Sequence, residues 1–170
     1  PEEVERLLPL FDNGNDVGLI TEAGLPAVAD PGSQLVKLCH RHNIEVVPCS
    51  GPSSLMLALM GSGLNGQSFA FLGYIPAKTD ERRQALKSIE KHSASAHQTK
   101  IMIETPYRND SLFADILNVC QGSTELCVAA DITMPDAYIM TKTVAEWKRY
   151  MAGKESIIGK RPCVFLILAH

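Results

Sequence analysis

The sequence predicts an α/β fold of two domains, with a parallel sheet in the first half and a mixed sheet in the second, and three observations carry that prediction. A short apolar run, a loop of small or polar residues and a helical pattern follow one another three times, after Val17, Ile44 and Lys100. Beyond residue 125 the strand patterns come in succession, which implies a mixed sheet. Between the halves, Asn65-Gly66-Gln67-Ser68 reads as a hinge that divides residues 1–66 from 67–170.

Composition bounds the rest. A chain of 170 residues buries a sizeable core without staples. A net charge of -3 excludes a globally basic nucleic-acid binder and leaves room for a local basic patch. The five cysteines form no C-x-x-C pair and sit in apolar surroundings, so they are expected as reduced core residues of a cytoplasmic protein, not as metal ligands. No apolar run reaches the roughly 18 residues of a membrane helix, and no stretch has signal-peptide character.

In chain order, Val4, Leu7, Leu8 and Phe11 have helical spacing, so an amphipathic helix is expected over Pro1–Phe11, ended by Asn13-Gly14-Asn15. Val17–Thr21 reads as a buried strand. A buried parallel strand needs a neighbour, so an earlier strand is expected upstream of this sequence. The loop Glu22-Ala-Gly-Leu-Pro26 cannot continue a ladder, because Gly24 weakens it and Pro26 has no donor. After Asp30-Pro31-Gly32 a helix begins near Ser33, which places this loop at the carboxyl edge of a sheet, where open α/β folds bind ligands; a plain tight connector is the alternative. Ile44–Val47 is a second strand. Gly51-Pro52-Ser53-Ser54 then opens the helix through Met60, with serine hydroxyls suited either to capping or to an anion.

In the second half, strands are expected over Ser68–Tyr74, Lys100–Ile103, Leu126–Ala130, Tyr138–Thr143 and Val164–Leu168. Helices are expected from Asp80 to Lys91, across Leu112–Cys120, and over Glu146–Met151, where Trp147 anchors. His92–Gln98 reads as a polar connector. Lys78, Arg82, Arg83 and Lys87 make the first of these helices basic, either as a solvated face or as the contact for an acidic partner.

Four motifs occur in order over residues 17 to 108: EAGLPAVADPG, VVPCSGPSSLMLALMGSGL, FAFLGYIPAK with a following ERR, and IETPYRN. In order and spacing they resemble D-A-G-x-P-x-x-x-D-P-G, P-G-P-S-A, F-x-G-F-x-P and E-S-P-H-R of the rRNA small-subunit methyltransferase I branch of the tetrapyrrole methylase superfamily. The resemblance implies a two-domain S-adenosylmethionine-dependent methyltransferase, usually a homodimer, with the methyl donor in a cleft between its domains. Glu22 stands where the family has Asp, and Ser50 precedes Gly51 where proline is usual. The R-E-x-T-K-x-x-E-E segment is replaced by Glu125–Asp136, and the family's first strand and G-x-G-P loop have no counterpart here.

A sulfonium donor calls for backbone carbonyls, hydroxyls and an apolar slot. Glu22, Gly24, Pro26 and Val28 on the first loop, Ser53 and Ser54 on the second, and Ile103, Ala130 and Pro162 from the second half are the expected contacts. Catalysis needs in-line positioning and, for a hydroxyl acceptor, a base or polarising group. Glu104, Arg108 and Asp30 are the candidates, each with a structural alternative: a local ion pair for the first two, a turn residue for Asp30. Three functions remain open: an RNA methyltransferase acting on a ribose hydroxyl, a methyltransferase for a tetrapyrrole or other small acceptor, and a non-enzymatic donor-binding module.

Overall fold

The computed structural model describes residues 2–170. By compactness the chain divides into two units, Pro1–Ser53 and Ser54–His170.

The first unit holds α1 (Glu2–Glu5), a 3-10 turn (Leu8–Gly14) and α2 (Ser33–Arg41). The single helix expected over Pro1–Phe11 is therefore corrected, and Pro1 itself lies outside the described residues. Pro9 has no N–H to donate and its ring clashes with the carbonyl four residues back, which is Glu5, where α1 stops. The strands expected at 17–21 and 44–47 are also corrected. Both segments are irregular, and no stretch among the described residues forms a ladder with them. A β-strand exists only through its partner's hydrogen bonds. Without one, apolar side chains stay open to solvent, Ile20 at 89% and Val47 at 71%. The parallel N-terminal sheet is thus absent from the described residues.

The second unit is built on five strands: β1 (Phe69–Tyr74), β2 (Thr99–Ile103), β3 (Glu125–Ala130), β4 (Tyr138–Thr143) and β5 (Cys163–Leu168), in the order β1-β2-β5-β3-β4. β1 and β2 run parallel, and the remaining neighbours are antiparallel, so the sheet is mixed as expected. Every residue of β5 is buried, which requires cover on both faces. Period-two alternation sorts the side chains. Ile101, Leu166 and Cys127 stand in register and pack with Leu55, Ala58 and Leu59 of α3 (Ser54–Ser62). Met102, Phe165 and Val128 face the opposite core, with Leu86 of α4 (Thr79–Ala96), Ile116 of α5 (Asn109–Val119) and Trp147 of α6 (Val144–Met151).

Trp147 Nε1 donates to Leu126 O at 2.8 Å, and its ring meets Phe113 edge-on at 5.3 Å. α6 starts in a capping box: Thr143 Oγ1 accepts from Glu146 N at 3.2 Å, and Thr143 N donates to Glu146 Oε2 at 2.9 Å. The connector expected over His92–Gln98 is instead mostly the last turn of α4. Ser93 is buried there, donating to Gln98 O at 2.8 Å and accepting from Ala169 N at 3.0 Å, and the helix ends at His97 in a left-handed conformation. Asn65–Ser68 lies within the second unit: Asn65 Nδ2 donates to His97 O at 2.7 Å, and Asn65 O accepts from Thr99 Oγ1 at 2.9 Å. Four cysteines are buried; Cys49 is exposed, which corrects its expected place in the core.

Candidate active site

The carboxyl end of β2 carries a buried carboxylate, Glu104. The strand stops at Glu104-Thr105-Pro106, because Pro106 has no donor for the ladder and starts a 3-10 turn (Pro106–Arg108) that feeds α5. Glu104 is pinned in the fold, its side chain wholly buried while that of Arg108 is 42% exposed. Oε1 of Glu104 accepts from Arg108 Nε and, at 3.3 Å, from Thr105 Oγ1. Oε2 of Glu104 is buried and has no partner among the described residues. The local ion pair anticipated for Glu104 and Arg108 is present, and it leaves one carboxylate oxygen unused.

The antiparallel register brings two more expected segments to this end. Ile103 pairs with Val164, and Ala130 pairs with Cys163, so the ends of β2 and β3 and the start of β5 lie side by side. Ala130 is fully buried, Ile103 half-buried and Pro162 exposed. Sequence reasoning missed three residues here. Asn109 donates from Nδ2 to Arg161 O at 2.7 Å, Asp131 N donates to Pro162 O at 3.0 Å, and Arg161 Nη1 lies 3.6 Å from Asp131 Oδ2. Their signals were faint but present: Asn109 closes the IETPYRN motif, Asp131 ends β3 as Glu104 ends β2, and Arg161 precedes Pro162. Asp131 and Thr133 hold left-handed backbone, at φ of 50° and 75°. Such strain is costly for a β-branched residue and concentrates at functional sites. Burial pushes the Cys163 thiol up to about 12, so it is no nucleophile at neutral pH.

In the first unit, Glu22, Gly24, Pro26, Val28 and Asp30 occupy a loop without regular structure. Pro26 is half-buried, and the other four are exposed. Val28 N donates to Leu25 O at 3.2 Å and Ala27 N to Pro31 O at 3.3 Å, and Ala27 and Ala29 both take left-handed backbone. Gly24 has a φ of 74° with open space around its missing Cβ, so glycine serves the backbone conformation there and not a close packing contact. Ser53 closes this unit half-buried, and Ser54 opens α3 exposed.

The basic helix is changed by folding. Arg82 is buried: Nε donates to Asp115 Oδ2 at 2.7 Å and Nη1 to Ala77 O at 3.0 Å. A charge already spent inside the protein cannot reach an acidic partner, so Arg82 leaves the proposed contact surface. Arg83 shares Asp115 through Oδ1 at 2.8 Å but stays half exposed; Lys78 pairs with Glu81 at 3.3 Å on the surface, and Lys87 is exposed. A cavity of about 440 Å³ lies at the other end of the sheet, lined by Lys87, Glu90, Lys91, Thr124 and His170 among others, away from Glu104. Among the described residues no cluster of His, Cys, Asp and Glu is placed to hold a metal ion, and no helix is long and apolar enough to cross a membrane.

No family model matches the chain. Among curated proteins it is 35% identical over 153 residues to the ribosomal RNA small subunit methyltransferase I of Vibrio cholerae, covering 90% of this chain and 50% of that protein. To the protein of the same name from Pseudomonas aeruginosa it is 32% identical over 166 residues, 98% of this chain and 57% of the relative. The chain thus spans about half the length of the curated relatives it matches. Among solved structures, the methyltransferase CobJ superposes with a TM-score of 0.61 at 16% identity, over 99% of this chain and 70% of that one. The uroporphyrin-III C-methyl transferase of Thermus thermophilus, complexed with S-adenyl homocysteine, gives 0.53 at 18% identity, over 98% and 72%. In sequence the chain is similar to the ribosomal RNA small subunit methyltransferase I proteins, and in fold to the methyltransferase CobJ and the uroporphyrin-III C-methyl transferase.

Proposed function

We propose that the protein of this sequence is an S-adenosylmethionine-dependent methyltransferase acting on small-subunit ribosomal RNA, at the 2′-hydroxyl of a ribose. The observation that carries the chemistry is the Glu104 carboxylate, buried at a strand end with Arg108 on one oxygen and no partner among the described residues on the other. The curated relatives' name supplies the acceptor class.

The methyl donor fits what the residues offer. Its ammonium, ribose hydroxyls and adenine amine are hydrogen-bond donors, and Glu104 Oε2, unpartnered among the described residues, is an acceptor. Glu22, Gly24, Pro26, Val28, Ser53, Ser54, Ile103, Ala130 and Pro162 are its proposed contacts, with residues 1–66 proposed as the donor-binding domain and 67–170 as the second domain. When bound, the donor supplies an electrophilic methyl group on a cationic sulfur. Glu104 Oε2 takes up the proton that the acceptor hydroxyl gives up, a role that general-base catalysis assigns to a group within hydrogen-bond reach. Arg108 holds Oε1 so that Oε2 keeps one direction. Asp30, exposed on its turn, is the alternative base. Lys78, Arg83 and Lys87 supply phosphate contacts, which position RNA without reading its sequence. A homodimer in the cytoplasm completes the proposal.

A second reading keeps the chemistry and changes the acceptor to a tetrapyrrole or other small molecule, supported by the fold shared with uroporphyrin-III C-methyl transferase. Incubating the full-length protein with methyl-labelled donor and, in parallel, small ribosomal subunits or uroporphyrinogen separates the two. Label in ribosomal RNA is the expected result; label confined to the tetrapyrrole would replace the RNA assignment.

A further inference from the structure

The main chain at 161–162 is held from outside its own segment. Asn109, fully buried at the first residue of α5, reaches across 52 positions of sequence to donate to Arg161 O at 2.7 Å. Asp131 N takes the next carbonyl, Pro162 O, at 3.0 Å. The Arg161 side chain ties the segment together: Nη1 meets Asp131 Oδ2 at 3.6 Å, Nε donates to Ile158 O at 3.0 Å, and Nη2 donates to Ile157 O. One asparagine and one arginine therefore fix the relative places of three segments that meet at the same end of the sheet.

Stability alone accounts poorly for Asn109. Its Oδ1 is buried without a partner among the described residues. An orphaned acceptor of this kind is destabilising, and few survive in native proteins without a reason beyond packing. Asp131, the other end of the brace, holds a left-handed φ of 50°. Local rules broken at neighbouring positions are expected where function sets the geometry.

We propose that Asn109 is a positioning residue for the methyl-donor site, with Arg161 as its second member: together they hold the 161–162 main chain as a fixed wall against the bound methyl donor. The inference rests on the donor-binding reading above. Asn109 acts through the Arg161 carbonyl and touches neither donor nor acceptor.

The test uses the full-length protein with Asn109→Ala and Arg161→Lys, measuring steady-state constants for both substrates and the calorimetric affinity for S-adenosylmethionine. Removing the brace should raise the KM and Kd for the methyl donor about tenfold, leaving kcat within about twofold and the RNA KM unchanged, since one hydrogen bond's worth of positioning is lost. If Asn109→Ala does not fold, Arg161→Lys carries the test alone, because that side chain lies nearer the surface. Donor affinity equal to the parent's in the folded variants overturns the proposal, and so does a fall in kcat with the donor KM unchanged. A parent protein that binds no S-adenosylmethionine would overturn the donor reading and this inference together, whereas a parent that binds it but methylates no RNA leaves the brace standing and removes only the acceptor.

Discussion

Asp115 shows how a single residue turns a sequence signal into something else. Read along the chain, Arg82 and Arg83 are one basic patch; in three dimensions they close on a buried carboxylate thirty-odd positions away. Burial works against the charge on Asp115, but hydrogen bonds from Arg83 and Arg82, together with their charges, outweigh it and hold the pKa below the ordinary 3.8. A depressed carboxylate stabilises the fold above its unfolded pKa and loses that contribution as pH falls through the folded value. The pair should therefore be fully stabilising at neutral pH and fade below about pH 3.8. Asp115→Ala leaves Arg82 buried without a counter-charge and should cost about 3–5 kcal/mol in denaturant melts, while the apolar pair Arg82→Met with Asp115→Leu should cost much less. A loss below about 1 kcal/mol for Asp115→Ala would show that Arg82 escapes to solvent. Nothing in the sequence marked Asp115, because an ion pair across two helices leaves no local pattern. Glu104 and Arg108 were legible for the opposite reason: four positions apart and bracketing a proline turn, they are neighbours by local geometry alone.

At the scale of elements, legibility followed the source of each element's stability. β4 was read at its observed limits and β1, β2, β3 and β5 within a residue, since their alternation is imposed by a sheet present in this chain. The run at Val17–Thr21 has a strand's composition and no ladder, because composition gives an apolar surface and only a neighbour gives hydrogen bonds. The N-terminal helix failed on Pro9, whose missing donor outweighs the spacing of four apolar residues. The loop after Val17 was recognisable by its small residues, but its left-handed alanines were not, since alanine carries no preference for that conformation. Gly24 offers the test at this scale. With φ at 74° and open space about its Cβ position, Gly24→Val meets backbone strain and no clash, costing roughly 1–2 kcal/mol locally. If the loop's conformation serves the methyl donor, calorimetry should show donor affinity down at least tenfold in a variant that still folds; unchanged affinity would remove this loop from the site.

For the whole molecule, the chain carries a net charge of -3, yet Lys78 just before α4 and Arg83 and Lys87 in its first half lie exposed. Contacts to phosphate release counterions, so Lys78→Glu with Lys87→Glu should lower the slope of log affinity against log salt by roughly 0.7 per lost contact to single-stranded RNA, leaving donor affinity unchanged. A slope equal to the parent's would reduce that face to a solvated one. The α/β class and the mixed sheet were legible in the sequence, because the strand patterns of the second half alternate as a sheet requires. The acceptor was not, since fold leaves function to the site.

The most direct measurement of the central claim is alkaline hydrolysis of ribosomal RNA labelled by the full-length protein from methyl-labelled S-adenosylmethionine, run beside Glu104→Gln. A methyl group on a ribose 2′-oxygen blocks alkaline cleavage at the adjoining phosphate. Label is expected in an alkali-resistant dinucleotide, with the rate falling about 10²- to 10⁴-fold in Glu104→Gln, the range for loss of a general base. Label in alkali-labile mononucleotides, or a Glu104→Gln rate equal to the parent's, would contradict it.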